Sequence, residues 1–471
     1  MKRLLDPDAN KAVPDLQWLQ HNLKVGIVYR RLDEIKEYKR KLRKRSRKWL
    51  ADMKASVSRF GLVLPILIDQ DGLIIGGQGM FEVARQLGFT EVPTVRIDHL
   101  DEADVRLLRL ALNKIGEESH WNSIELADEW RELQPLTMDL GYEVSGFATP
   151  EIDNLLHESP SKDQQETDDQ LVEPGEPGSE VSRSGDLWIL GVHKVLCGSS
   201  LETANLQLLM GVELARMVLT DHPYNVKIHG NVSGLGKVRH REFVQASGEM
   251  SEAQFTEFLT TSIAALADSC RDGALLYMFM DWRHQWEILS GIRAADLTPV
   301  NMAVWVKGVP GMGGFYRSQH ELCFIARKGG AQHKNNVELG HWGRTRSNVW
   351  NYPGLNSFGK TRDEQLAMHA TCKNVSMLAD AIRDASDRGE IVLDGFLGSG
   401  STLIAAERTG RICRGLELDP LYVDTILRRW ERVTGGTAVL ADTGETLTDV
   451  AKRRADERFQ ISPPPRRRRV V

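Results

Sequence analysis

The segment EIVLDGFLGSGSTLIAAERTGRICRGLELDP, Glu390 to Pro420, leaves few ways for this chain to fold. Ile391, Val392 and Leu393 form a short apolar run bounded by a glycine turn, and read as a buried strand. Ser401 to Arg408 reads as a helix, and Cys413 to Leu416 as a second strand that runs into Glu417 and Asp419. Between the first strand and the helix lies Asp394-Gly395-Phe396-Leu397-Gly398-Ser399-Gly400. Strand, glycine turn, helix and strand make a βαβ unit, which commits this part of the chain to an α/β sheet with a ligand at the strand ends.

Three ligands compete for such a turn. A triphosphate loop would follow G-x-x-x-x-G-K-[ST]. Gly395 to Thr402 fits it except that Ser401 stands in the lysine position, which removes the terminal-phosphate contact. A dinucleotide site would want a third glycine at position 403, where Leu403 stands. A cofactor with a ribose but no pyrophosphate meets neither objection. The glycines let the backbone approach it, and Glu417 accepts hydrogen bonds from its ribose hydroxyls. S-adenosylmethionine is that cofactor.

A second stretch, LTDHPYNV (Leu219 to Val226), indicates what is done with it. Ala215 to Thr220 is predicted as a strand, with Asp221-His222-Pro223-Tyr224 at its carboxyl end, where open α/β sheets place their chemistry. An exocyclic amino nitrogen is a poor nucleophile because its lone pair is delocalised into the base. Accepting both of its N–H bonds localises that lone pair. The Asp221 side chain can take one and the His222 backbone carbonyl the other. Pro223 fixes the turn, and Tyr224 offers a ring on which a flipped base stacks.

The two motifs together resemble the amino-group DNA methyltransferases, over nearly all of residues 184–434. The catalytic motif precedes the cofactor motif, as in the circularly permuted β-class. The resemblance implies a Rossmann-like, S-adenosylmethionine-dependent domain acting on double-stranded DNA. It implies catalytic roles for Asp221, His222, Pro223 and Tyr224. It implies cofactor-binding roles for Asp394, Phe396, Gly398, Gly400, Thr402, Glu417 and Lys373. Adenine N6 is the expected target, because cytosine-N4 relatives more often begin the motif with serine.

Some positions depart from the family pattern. The tetrapeptide is usually Asp-Pro-Pro-Tyr, so His222 is a substitution that keeps the backbone carbonyl. Gly185 to Ser200 resembles a segment that often ends Gly-Asp-Ser, with Ser199 in place of the acid. His369 to Val375 (HATCKNV) resembles His-Pro-Thr-x-Lys-Pro, which packs on the methionine moiety; Lys373 is kept and both prolines are lost.

Ahead of this domain, LADMKASVSRFG (Leu50 to Gly61) has helical spacing and a terminal glycine. Two short β-branched runs around Asp71-Gly72 signal a hairpin, MFEVARQLGF a helix and VPTVRIDHL another strand. From SVSRFGLVLPILIDQDGLIIGG through LALNK (Leu110 to Lys114), this order resembles the ParB/sulfiredoxin-like domain over residues 16–125. That family usually follows the glycines of its phosphate loop with arginine. Here Gly76-Gly77-Gln78-Gly79-Met80 places methionine there, which argues against hydrolysis or nuclease action and for DNA positioning or interaction.

The net charge of −5 hides a division along the chain. Residues 158–180 are rich in Pro, Gly, Ser and Glu and contribute −7, so the rest of the chain sums to +2. Such a composition buries too little apolar surface to fold and marks a linker. The expected organisation is a ParB-like domain with trailing helices at 1–157, the linker at 158–180, the methyltransferase domain at 181–440 and an extension with a basic tail at 441–471. Basic residues also cluster from Tyr29 to Trp49, where the bland reading is a solvated helix face and the functional one a phosphate contact.

The five cysteines are scattered without a C-x-x-C pair, no apolar run is long enough for a membrane span, and the N-terminus has no apolar centre. These point to a cytoplasmic protein without a metal site, and leave a homodimer open. The Gly-rich, basic stretch His229 to Ser251 reads either as a loop closing over the extruded base or as a disordered surface loop, and Gln332 to Thr361 as the element that reads base edges. The alternatives are a cytosine-N4 enzyme, or a catalytically degenerate ParB-like DNA-binding protein.

Overall fold

The computed structural model describes residues 25–40, 42–115, 118–133, 142–156, 175, 178–226, 246, 248–310, 315–341, 344–354 and 373–461. Nearly all of the acidic segment, most of His229 to Ser251, His369 to Cys372 and the basic tail from 462 lie outside these residues. The chain divides into two compact units, Met1–Ile152 and Asp153–Val471.

The first unit holds a four-stranded sheet in the order β1-β4-β2-β3, made of β1 (Ile27–Arg31), β2 (Ile66–Ile68), β3 (Ile74–Gly76) and β4 (Glu91–Arg96). β2 and β3 are the arms of the expected hairpin. Asp69 shapes its turn, with Oδ1 accepting the backbone N–H of Asp71 and Leu73, both at 2.9 Å, while Gly72 takes φ +76°. Ser46 starts the helix Arg47–Phe60 by accepting the Trp49 N–H at 3.0 Å, and Gly61 ends it. The helix Gln78–Gln86 lays Phe81 and Ala84 on Ile66, Ile68 and Ile74. The basic cluster is not one helix face. Its first residues belong to β1, paired antiparallel with β4, and the described α-helix there begins only at Arg47. The β-branched Ile27 and Val28 favour pairing along the edge of β4 over a helix.

The second unit is built on a ten-stranded sheet in the order β11-β9-β10-β8-β7-β12-β13-β6-β5-β14. Its strands are β5 (Leu187–Leu190), β6 (His193–Cys197), β7 (Ala215–Asp221), β8 (Cys270–Met280), β9 (Leu297–Val306) and β10 (His320–Lys328). They continue with β11 (Val349–Asn351), β12 (Ile391–Asp394), β13 (Ile412–Glu417) and β14 (Ala438–Leu440). β8, β7, β12, β13 and β6 run parallel, and β10 inserts antiparallel between β8 and β9.

β7 and β12 are neighbours although far apart in sequence, and the chain leaves them in opposite directions, toward β8 and toward β13. Their carboxyl ends therefore border the crevice that such a reversal opens. Alternate residues face two cores. Met217, Leu219, Tyr277, Phe279, Trp305 and Cys323 pack with the helices Val375–Ala385, Ser401–Thr409 and Pro420–Thr434. Val218, Leu276, Met278 and Leu393 pack with Phe255, Leu259 and Ile263 of the helix Glu252–Asp268. Past residue 440 the fold continues, because the helix Leu447–Ile461 buries Leu447 and Val450 in the first of these cores.

The division at Ile152/Asp153 falls inside the helix Thr149–Leu156, ahead of the expected boundary at 157. Asp153 is 2% exposed and binds Arg411 through both oxygens at 2.9 and 2.8 Å, and Arg388 at 2.9 Å. Burial favours the neutral acid, but the arginines prevail and hold Asp153 below the ordinary carboxylate range. Asp153→Ala strands the buried Arg411 guanidinium and should cost about 3–5 kcal/mol. A lowered thermal midpoint of the full-length variant is expected; a wild-type midpoint would show that this ion cluster does not hold the second unit together.

Candidate active site

The turn after β12 wraps the acid that ends β13. Gly398, at φ +55°, donates its N–H to Glu417 Oε2 at 2.8 Å, and the Asp419 N–H donates to Oε1 at 2.9 Å. Gly400 takes φ +84°, and a Cβ there would also lie 3.3 Å from Ile426, so glycine serves both conformation and packing. Asp394 Oδ1 accepts the Thr220 hydroxyl at 2.8 Å and the Phe396 N–H at 3.0 Å, which ties the end of β7 to the glycine turn. Thr402 bonds the same carboxylate. Burial pushes Glu417 up to about 7 and Asp394 up to about 6, with backbone N–H donors opposing the shift.

One cavity collects most of the residues singled out in the sequence. Asp221, His222, Pro223, Tyr224, Lys373, Asp394, Phe396, Gly398, Thr402 and Glu417 all line it. Gly400 lies outside the lining and acts on the shape of the turn. Ser199, which stands where the family has an acid, turns its carbonyl to Arg429 at 2.8 Å and Asn205 at 3.0 Å. The buried Ser200 Oγ, on the cavity wall, has no hydrogen-bond partner among the described residues.

At the other end of the cavity the Tyr224 hydroxyl donates to Asp221 Oδ1 at 2.8 Å. Lys373, expected beside the cofactor, places its ammonium 2.5 Å from Asp221 Oδ2, 3.2 Å from Glu321 Oε2 and 3.3 Å from the Tyr224 oxygen. Lys307 holds the other Glu321 oxygen at 2.5 Å. Burial pushes Asp221 above the ordinary carboxylate range while Lys373 opposes it. The Asp221 side chain keeps 24% exposure, so solvent in the cavity relieves part of that penalty. Glu321 is half-buried, and its desolvation opposes ionisation, but Lys373 and Lys307 hold it at about 2.

Glu321 and Lys307, linked to Asp221 through Lys373, escaped the sequence reading as members of this cluster. A signal existed in the alternation of the strands: Asp221 follows Leu219, Glu321 precedes Cys323 and Lys307 follows Trp305, each by two residues, and those three apolar residues share one core. Which strands would be neighbours was the missing information.

The His222 ring is 1% exposed, with Nε2 3.3 Å from Ser262 Oγ and its centroid 5.0 Å from that of Phe396. Burial pushes it down to about 3, so it is a neutral imidazole packed in the wall. In Gln332 to Thr361, the arginines expected to read bases are engaged inward. Arg344 bonds Asp384 at 2.7 Å, and Arg346 bonds Asp384 at 3.0 Å and Asp380 at 3.3 Å, because half-buried carboxylates on the helix Val375–Ala385 attract cations. Asn336 likewise caps the Arg383 and Ser386 carbonyls. The described residues that face solvent beyond the carboxyl end of the sheet include Phe315 and Tyr316, 89% and 81% exposed, in the β9–β10 connection.

Residues 215–428 match the N6/N4 family described as DNA methylase. ParB-like nuclease domain-containing protein YnaK of Escherichia coli (strain K12) is 35% identical over 79 residues, 17% of this chain and 91% of YnaK. Type II methyltransferase M.ScaI of Streptomyces caespitosus is 29% identical over 89 residues, 19% of this chain and 29% of that enzyme. The Escherichia coli (strain K12) protein YubD is 25% identical over 205 residues, 44% of this chain and 77% of YubD. No helix among the described residues is long and apolar enough to cross a membrane. With the motifs in permuted order, β7 beside β12 and both ends on one cavity, residues 215–428 form an N6/N4 DNA methylase domain, and the chain joins to it a ParB-like one.

Proposed function

We propose that this chain methylates the exocyclic amine of a base in double-stranded DNA, with adenine N6 as the target and S-adenosylmethionine as the donor. The observation that carries the reading is the single cavity with Asp221 and Tyr224 at one end and the Gly398–Glu417 turn at the other. The chemistry of the turn fits the cofactor. Two acids, the buried Asp394 and the half-buried Glu417, surround it, and Ser401 fills the position where a phosphate loop has its lysine. Such a set repels a pyrophosphate and suits a cationic nucleoside with free ribose hydroxyls. When bound, the cofactor supplies an electrophilic methyl group.

Glu417 is preorganised by two backbone N–H groups and accepts the ribose hydroxyls with its remaining lone pairs. Asp394 and Thr402 keep the turn in place against β7. Asp221 accepts one N–H of the target amine and the His222 carbonyl the other, while Tyr224 stacks on the flipped base. Transfer would form the new C–N bond as the donor's S–CH3 bond breaks with its electron pair left on sulfur, and the amine would become cationic. It then passes its surplus proton to Asp221, whose raised pKa suits it as an acceptor, and from there to solvent.

Purified protein, S-adenosylmethionine and unmethylated genomic DNA, followed by nucleoside mass spectrometry, should yield N6-methyladenine. N4-methylcytosine would instead assign the other base. Asp221→Ala should lower transfer by about 100- to 10,000-fold while calorimetric cofactor affinity stays near wild type. Loss of both would point to the fold instead of the chemistry.

Glu417→Gln should weaken cofactor binding by about 10- to 100-fold, the scale of a hydrogen bond to a charged group. Wild-type affinity should also decline as pH falls through about 7, because protonation removes acceptor capacity from Glu417. The variant should show a flatter profile in that range. A profile identical to wild type would remove Glu417 from the cofactor site.

A further inference from the structure

We propose that Glu321 is a positioning residue for methyl transfer, taking the Lys373 ammonium off Asp221 when the target amine arrives. The inference rests on the reading of Asp221 as acceptor of the amine N–H. Tyr224 occupies Asp221 Oδ1 and Lys373 occupies Oδ2, so an amine entering from the cavity competes with a full positive charge for the same carboxylate. Lys373 is only 5% exposed, and a buried ammonium released from one anion needs another. Glu321 supplies it: the same Nζ already lies 3.2 Å from its Oε2. Lys307, held on the opposite oxygen, keeps Glu321 ionised and fixed in direction. The handover is a short swing of one ammonium between two acceptors; no covalent bond changes and no proton moves.

Charge balance supports this arrangement. Asp221, Glu321, Lys373 and Lys307 carry two charges of each sign and form one connected chain. The remaining titratable groups that face it are Tyr224 after β7, Asp281 after β8, Asp394 at the end of β12 and Cys323 on β10. Burial raises both the Tyr224 hydroxyl and the Cys323 thiol, so neither contributes a charge near neutral pH. Without Glu321, Lys373 would have Asp221 as its counter-ion and would stay on it.

Glu321→Gln keeps the size of the side chain and removes its charge. With full-length protein, S-adenosylmethionine and unmethylated genomic DNA, the plateau rate of methylated-nucleoside formation should fall by about 10- to 100-fold. Calorimetric cofactor affinity should hold within about twofold, since Glu321 lies outside the cofactor turn. The acid limb of the rate profile should also move to lower pH. Losing a neighbouring negative charge stabilises ionised Asp221, so its carboxylate persists further into acid. In a Lys373→Met background the same substitution should add little further loss, because Glu321 acts through Lys373.

An unmoved acid limb, or full additivity with Lys373→Met, would overturn the proposal. Glu321→Asp guards against a folding defect: it keeps the charge and should retain the wild-type limb at an intermediate rate, and a displaced limb would count against the proposal. A wild type that forms no methylated nucleoside, or an undiminished Asp221→Ala, defeats the underlying reading. Activity lost in Asp221→Ala but unchanged in Glu321→Gln defeats this inference alone.

Discussion

β7 and β12 pair in parallel with Val392 opposite Met217 and Leu393 opposite Val218, and the Thr220 hydroxyl bonds Asp394 across their ends. The cavity depends on that short pairing. It brings a tetrapeptide at residue 221 next to a glycine turn at residue 395, with most of the second unit between them in sequence. Two parallel strands whose chains depart in opposite directions cannot close the space above their carboxyl ends with their own connections. The space is left for a ligand. Its walls follow from strand alternation, since the face that carries Met217 and Leu219 into the core delivers Asp221 to the rim.

The same alternation concentrates charge where burial would otherwise forbid it. Asp221, Glu321, Lys373 and Lys307 come from four different segments, and the buried Lys373 is tolerable there because two carboxylates are present. The second unit uses the device again away from the cavity, at Asp153 with Arg411 and Arg388, and at Asp380 and Asp384 with Arg344 and Arg346. The Asp153 carboxylate is 1% exposed, whereas Asp221 keeps 24% exposure on the cavity, and that difference separates a candidate reacting site from a clamp.

Local chemistry made much of this visible in the sequence. The Asp71-Gly72 hairpin, Gly61 at the end of its helix, the βαβ unit around Gly398 and the strand before Asp221 all depend on neighbours within a few residues, and all stand where the spacing placed them. Information about which strands pair was absent. The role of Glu321 depends on β10 lying beside β8, a choice made by the whole sheet. Arg344 and Arg346 looked available to bases because a sequence does not show that Asp380 and Asp384 await them on a helix some thirty residues later. The basic run from Tyr29 was misjudged for a similar reason, since its strand is set by pairing with β4.

His222 tests how far a departure from a family pattern should be weighed. A proline there would stiffen the turn by fixing φ, and histidine gives up that constraint. The structure offers another one: the ring is enclosed by Ser262 and Phe396 and held neutral, so the side chain is anchored to the core behind the cavity. Anchoring from behind restrains the backbone that carries the His222 carbonyl, provided the imidazole stays uncharged. Its pKa of about 3 makes that condition hold throughout the pH range in which Asp221 and Glu417 would work. The substitution therefore moves the source of rigidity from the turn itself to the packing beneath it.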